Sequence, residues 1–201
     1  MTNETPVSVW NVANGLTLLR LALVPLFLVA LFHGDGDDAG WRVFAWFAFA
    51  VASVTDRVDG ELARRRGLVT DFGKIADPIA DKTLIGAALV GLSLLDELAW
   101  WVTVVVLARE VGITLLRFFV IRHGVLPASR GGKVKTLLQA VGIGLLVLPL
   151  GGVLHDLALL IMYAAVVVTV VTGADYVARA VRLRRTSQRS LLKRARRAER
   201  S

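Results

Sequence analysis

Between residues 16 and 178 the chain is built from apolar stretches of near-bilayer length, set apart by clusters of charge. A hydrocarbon core about 30 Å thick needs about 20 mostly apolar residues per crossing helix, since each residue advances the helix about 1.5 Å. Six windows approach that length: about 16–32, 41–55 and onward, 78–95, 98–121, 136–155 and 157–178. With 55% of 201 residues apolar, the pattern predicts an all-α integral membrane protein of six transmembrane helices rather than a soluble globule. No cysteine is present, which excludes disulfides, thiol nucleophiles and Cys-ligated zinc or iron–sulfur sites. The first apolar run lacks a basic segment before it and a small-residue cleavage site after it, so it reads as retained.

The connections alternate in charge. Residues 33–40 hold three Asp and no Lys or Arg, Asp96 and Glu97 mark the next odd-numbered turn, and the turn after window five is free of basic residues. Arg57, Arg64, Arg65, Arg66 and Lys74 lie between windows two and three, and Arg122, Arg130, Lys133 and Lys135 between four and five. The positive-inside rule then places both basic loops and both termini in the cytoplasm of a bacterial-type cell, with the chain multi-pass in its membrane. The net charge of +8 comes mostly from ten Lys and Arg between Arg179 and Arg200. Such juxtamembrane clusters are drawn to anionic lipid, so no nucleic-acid partner is expected. The organisation read from this is a six-helix membrane domain over residues 1–181, with an interfacial N-terminal segment, and a basic cytoplasmic tail over 182–201.

Windows two and three have an informative defect. Their uncharged parts, residues 43–55 and 83–95, are 13 residues each. At about 1.5 Å per residue each spans about 20 Å, short of the membrane core. The shortfall disappears if helix two continues through Asp56 and Asp59 and helix three begins around Asp77. Asp56 and Asp59 are then i, i+3 on one helix and Asp77 and Asp81 i, i+4 on the next, so each pair shares a face. A short cytoplasmic connection makes the two helices antiparallel neighbours. Ionisable groups at that depth line functional cavities, and four carboxylates close together stay ionised only when a cation compensates them. All-oxygen ligation suits a hard divalent ion.

The run from Asp56 to Asp81 reads D-x2-D-G-x2-A-R-x8-G-x3-D-x3-D, eight fixed positions over 26 residues. It resembles, without departure, the signature of the CDP-alcohol phosphatidyltransferase family. The resemblance implies that family's fold of six transmembrane helices, usually in a homodimer. It implies two bound Mg²⁺ ions, with Mn²⁺ as the alternative, held by Asp56, Asp59, Asp77 and Asp81, and Asp81 as the general base. It also places Gly60, Arg64, Thr70 and Gly73 against CDP-diacylglycerol.

Two further patterns resemble the phosphatidylglycerophosphate synthase branch of that family. Asn11-Val-Ala-Asn14-Gly-Leu-Thr17-Leu-Leu-Arg20, followed by Pro25, matches its N-x-x-N-x-L-T-x-x-R-x4-P opening and adds Asn14 and Thr17 to the CDP-diacylglycerol contacts. These residues could equally cap and anchor helix one. Ala108-Arg109-Glu110, then Arg117, and Gly132-Lys133-Val-Lys135-Thr136 followed by Gln139 resemble the acceptor-phosphate region. Glu110 and Arg117, seven apart, could instead form a structural ion pair. Cations inside a span nonetheless ask for an anionic partner, and a phosphorylated acceptor is one; Arg109, Arg117 and Lys135 are the candidates.

The expected activity is transfer of a phosphatidyl group from CDP-diacylglycerol to sn-glycerol 3-phosphate, giving phosphatidylglycerophosphate and CMP in phospholipid biosynthesis. Alternatives are another acceptor within the family, which would make a cardiolipin synthase or a phosphatidylinositol phosphate synthase, and more distantly an acid-ringed cation transporter. His33, His123 and His155 are scattered and read as solvated, and Trp10, Trp41, Trp46, Trp100 and Trp101 as interfacial or packing residues. Gly142 and Gly144 read as close-packing positions.

Overall fold

Six α-helices carry the apolar windows in the computed structural model, which describes residues 12–66, 70–120 and 130–198. They are α1 (Val12–Leu31), α2 (Ala39–Arg66), α3 (Asp71–Leu94), α4 (Trp100–Val120), α5 (Arg130–Val147) and α6 (Val153–Ala198), with a 3-10 turn at His33–Gly36 after α1. Among the described residues there is no strand. As its short apolar run requires, α2 continues past Asp56 and Asp59, to Arg66. The third helix begins at Asp71, six residues before the expected Asp77. Thr70, a residue type favoured just before a helix, precedes it.

Other helix ends also differ from the sequence expectation. The fifth helix ends at Val147 rather than near His155, and His155 lies in the first turn of α6. Pro149 disfavours helical geometry at the residue before it, and Gly152 has φ +55°, a conformation that costs glycine little. Helix α6 extends past its window of 157–178 at both ends: it is 46 residues long, and its backbone stays helical from Val153 to Ala198, through most of the stretch read as a basic tail.

Helix α1 packs against α2 and α3, and α6 against α4 and α5. The core lies between them, built from Phe27 and Leu31 of α1, Phe49 of α2, Leu89 and Leu92 of α3, Val102 and Val106 of α4, Ile143 and Leu146 of α5, and Met162 of α6. At Gly142 an added Cβ would meet Met162 Sδ at 3.2 Å and the Met162 backbone at 3.4 Å, so α5 and α6 pack closely there.

One end of the bundle is tied by Arg42, at the start of α2. Its Nε donates to the Val147 carbonyl at 3.0 Å and Nη2 to that of Leu146 at 2.6 Å, while Nη1 pairs with Glu97. A cation here satisfies the last carbonyls of α5 and opposes the negative end of its dipole. His155 Nδ1 lies 3.5 Å from the Glu97 carboxylate, and His33 stacks on Trp41 with ring centroids 4.3 Å apart. His33 is exposed, as expected, and rests on Trp41, whereas His155 is half-buried beside Glu97; His123 lies outside the described residues. Replacing Arg42 with Met strands two carbonyls and a mostly buried carboxylate. We expect it to cost about 3–5 kcal/mol, read as a lowered midpoint in a thermal-stability assay of the detergent-solubilised protein.

Among the described residues, two stretches, Asn14–Leu31 and Val153–Leu183, are long and apolar enough to cross a bilayer, and Ala39–Thr55 and Lys82–Leu94 are shorter apolar helical segments. Large apolar side chains also cover the outer surface, among them Val29, Phe47, Val104, Leu160 and Val167. Exposed apolar surface on this scale marks a membrane-associated protein.

Candidate active site

The buried stripe of each helix changes character along its length. On α1 it descends from Leu31, Phe27 and Val24 to Arg20, Thr17 and Asn14, all buried. On α5 it passes from Leu146 and Ile143 to Gln139 and Lys135, and on α6 from Ala158, Met162 and Ala165 to Thr169. On α4, Val102 and Val106 give way to Arg109 and Glu110. Polar groups in these positions must be satisfied by one another or by a ligand, because the neighbouring helices exclude water.

The same register places the aspartates. Along α2 the buried positions Ala45, Phe49 and Ala52 are spaced i, i+4, i+7, and Asp56 and Asp59 continue that spacing. Along α3, Asp77 and Asp81 precede buried Leu84 and Ala88 on one stripe, and Asp81 is flanked by buried Ala80 and half-buried Lys82 while Ile79 and Thr83, on the opposite side, are exposed. Both aspartate pairs thus fall at positions that continue the spacing of the buried residues along α2 and α3. The side chains of Asp56, Asp59, Arg64, Asp77, Asp81 and Arg117, and the surroundings of Gly60 and Gly73, lie outside what the structure describes.

Of the other expected donor-site residues, Asn14 and Thr70 meet. Asn14 Nδ2 donates to Thr70 Oγ1 at 2.9 Å, and Thr70 Oγ1 lies 3.0 Å from Asn14 Oδ1. The start of α1 is thereby joined to the residue that leads into α3, across 56 positions of sequence. Thr17, one turn on, is buried on the same side.

Three cations converge beside this region. Glu110 Oε1 accepts from Arg109 Nη1 at 2.9 Å and from Lys135 Nζ, and Glu110 Oε2 lies 3.5 Å from Lys82 Nζ. Arg109 Nη2 reaches Thr172 Oγ1 at 3.4 Å, and Arg109 Nε is buried with no partner among the described residues. A Cβ at Gly173 would come within 3.3 Å of Arg109 Cγ, so the glycine lets the arginine pass α6. The structure brings together the expected Arg109 and Lys135. It gives Glu110 these partners, where the sequence left open a pairing with Arg117.

Sequence reasoning missed Lys82, Thr169 and Thr172. Lys82 had a usable signal, as a charge directly after Asp81 where an apolar run begins. The threonines had a weaker one, in their i, i+3 spacing before Gly173 within a Val-rich stretch.

A model of the CDP-alcohol phosphatidyltransferase family matches residues 10–171. The chain belongs to this family. The match spans the positions of Asn14, Asp56, Asp59, Asp77, Asp81, Arg109, Arg117 and Lys135. Among its relatives, "Probable phosphatidylglycerophosphate synthase" of Mycobacterium tuberculosis (strain ATCC 25618 / H37Rv) is 62% identical over 172 residues, 86% of this chain and 82% of the relative. "CDP-diacylglycerol--glycerol-3-phosphate 3-phosphatidyltransferase" of Bacillus subtilis (strain 168) is 37% identical over 180 residues, 83% of this chain and 93% of the relative. "Cardiolipin synthase (CMP-forming)" of Streptomyces coelicolor is also 37% identical, but over 133 residues, 64% of this chain and 60% of the relative.

Proposed function

We propose that this CDP-alcohol phosphatidyltransferase transfers the phosphatidyl group of CDP-diacylglycerol to sn-glycerol 3-phosphate, forming phosphatidylglycerophosphate and CMP for phospholipid synthesis. Two relatives that cover most of the chain carry names for this activity. The observation that carries the acceptor is the meeting of Lys82, Arg109 and Lys135, from three helices, one residue along α3 from Asp81. A free alcohol needs no such cluster, whereas a phosphomonoester of nearly two negative charges does.

The donor set fits hard divalent cations. Asp56, Asp59, Asp77 and Asp81 offer only carboxylate oxygens, and no Cys exists to favour a softer metal. We assign two Mg²⁺ to them, Mn²⁺ being the alternative. When bound, the ions supply charge compensation to the diphosphate and to the departing CMP. Gly60 and Gly73 leave room for the nucleotide, Arg64 offers charge to its phosphates, and Asn14, Thr17 and Thr70 fix the segment between α1 and α3 around it. Arg109, Arg117 and Lys135 hold the acceptor phosphate and so direct its hydroxyl at the phosphorus that bears diacylglycerol. As that oxygen–phosphorus bond forms and the bond to CMP breaks, the hydroxyl proton passes to Asp81.

In the membrane we place all six helices as spans, with both termini and the polar end of the bundle cytoplasmic, and the chain as a homodimer. The second and third spans reach their length through the charged turns of α2 and α3. The basic end of α6 then lies over the cytoplasmic leaflet.

Incorporation of radiolabelled glycerol 3-phosphate into lipid by the purified protein, with CDP-diacylglycerol supplied and the product identified, tests this reading. Phosphatidylglycerol, offered as a competing acceptor, tests the cardiolipin synthase alternative raised by the Streptomyces relative. Preferential use of phosphatidylglycerol would overturn the acceptor assignment. Replacing Lys135 with Ala removes a charge-assisted contact worth about 1.5–3 kcal/mol. We expect the KM for glycerol 3-phosphate to rise about 10- to 100-fold, with the KM for CDP-diacylglycerol little changed.

A further inference from the structure

Glu110 is the shared counter-ion of Lys82, Arg109 and Lys135, and both of its carboxylate oxygens face these cations. Lys135 is only 5% exposed, so an empty pocket without this carboxylate would leave a buried ammonium unpaired, at high cost. Three positive groups and one negative leave the cluster at net +2, a match for the charge of a phosphomonoester near neutral pH.

We propose that Glu110 is a built-in competitor for the acceptor pocket: its carboxylate occupies, among the three cations, the place that an incoming phosphomonoester takes over. The inference rests on the acceptor reading above and deepens it. A carboxylate and a phosphate make the same kind of bond to Lys and Arg, through charged oxygens, and the phosphate brings more charge and one more oxygen. Binding is then an exchange of anions. Lys135 and Arg109 turn from Glu110 to the phosphate, and the displaced carboxylate, still close by, repels the dianion and weakens its hold. Both acceptor and product carry this phosphate, so the same repulsion that tempers acceptor affinity also speeds release of the lipid product. Glu110 acts through the cations and is a positioning residue with respect to the reaction.

The test is calorimetric titration of glycerol 3-phosphate into the full-length detergent-solubilised protein without CDP-diacylglycerol, alongside steady-state kinetics. Glu110→Gln keeps the side chain's size and removes its charge. Its Kd for glycerol 3-phosphate should fall about tenfold, with a lowered KM and a lowered kcat and an unaltered KM for CDP-diacylglycerol. A merely structural role predicts the reverse, because a pocket that has lost its organiser binds anions more weakly. Should Glu110→Gln fail to fold, Glu110→Asp draws the carboxylate back by one methylene and should tighten binding about threefold. Unchanged or weaker binding by the folded variant, with a wild-type chain that binds glycerol 3-phosphate, overturns this inference alone. A wild-type chain that neither binds nor consumes glycerol 3-phosphate overturns the acceptor reading and this inference with it.

Discussion

Replacing Asp81 with Asn is expected to lower turnover by about three orders of magnitude or more while leaving CDP-diacylglycerol binding largely intact. Loss of a general base alone costs about 10²- to 10⁴-fold, and Asp81 is assigned a share of the metal as well. Asn has nearly the shape of Asp, so the packing of α3 around buried Ala80 and Leu84 should survive the change. What is lost is the negative charge and the ability to take the acceptor's proton. Thr83, two residues on, is exposed on the opposite side of the same helix and bonds only back to the Ile79 carbonyl at 2.7 Å. Thr83→Ala should therefore remain within about twofold of wild type, as surface substitutions usually do. Radiolabelled glycerol 3-phosphate incorporation by the two variants, with donor binding followed separately, makes the comparison. Near-normal turnover by Asp81→Asn would remove the base assignment, and an equal loss in Thr83→Ala would show that α3 tolerates no change at all.

Much of this architecture was legible because a membrane restricts what charge can do. Thirteen uncharged residues are too few to cross a bilayer, so α2 and α3 had to extend through their aspartates, and they do. The same reasoning misplaced the end of α5. Hydropathy continues smoothly across Leu148, Pro149 and Leu150, and only the backbone preferences of Pro149 and Gly152 end the helix there. The end of the sixth apolar window is the opposite case, since the helix runs on beyond it. A change in composition at residue 182 is not a change in backbone, and Arg, Lys, Leu and Ala all sustain the helix of α6 to Ala198. In the site, the aspartates and Lys135 announced themselves by type and spacing. The role of Glu110 did not, because its partners Lys82 and Lys135 lie 28 and 25 residues away on other helices. Sequence spacing finds partners one or two turns away on the same helix, such as Arg117, and has no access to those brought near by packing.

Withdrawal of divalent cations should abolish turnover, and Mg²⁺ or Mn²⁺ should restore it far better than Ca²⁺. By spacing along the helices, Asp56 and Asp59 follow the buried positions of α2, and Asp77 and Asp81 precede those of α3. On the proposed metal assignment, the four carboxylates without a cation repel one another where water screens them poorly. Metal binding specific to the folded state would then add stability through linkage: at 100 times its Kd, such a ligand contributes about 2.7 kcal/mol. Chelation should consequently lower the thermal midpoint of the wild-type protein as well as its activity. An Asp56→Asn/Asp77→Asn double variant carries less repulsion and less affinity, so its midpoint should respond little to added Mg²⁺. Size provides the discrimination among ions, since Mg²⁺ accepts six ligands at about 2.0–2.1 Å whereas Ca²⁺ prefers more ligands at about 2.3–2.6 Å, which spreads a site built on two packed helices. We expect Ca²⁺ to restore less than about a tenth of the Mg²⁺ rate while still raising the thermal midpoint, so that occupancy and catalysis separate. Full turnover in chelator, or a midpoint indifferent to Mg²⁺ in the wild-type chain, would dissociate the four aspartates from metal and leave the reaction without its assigned site.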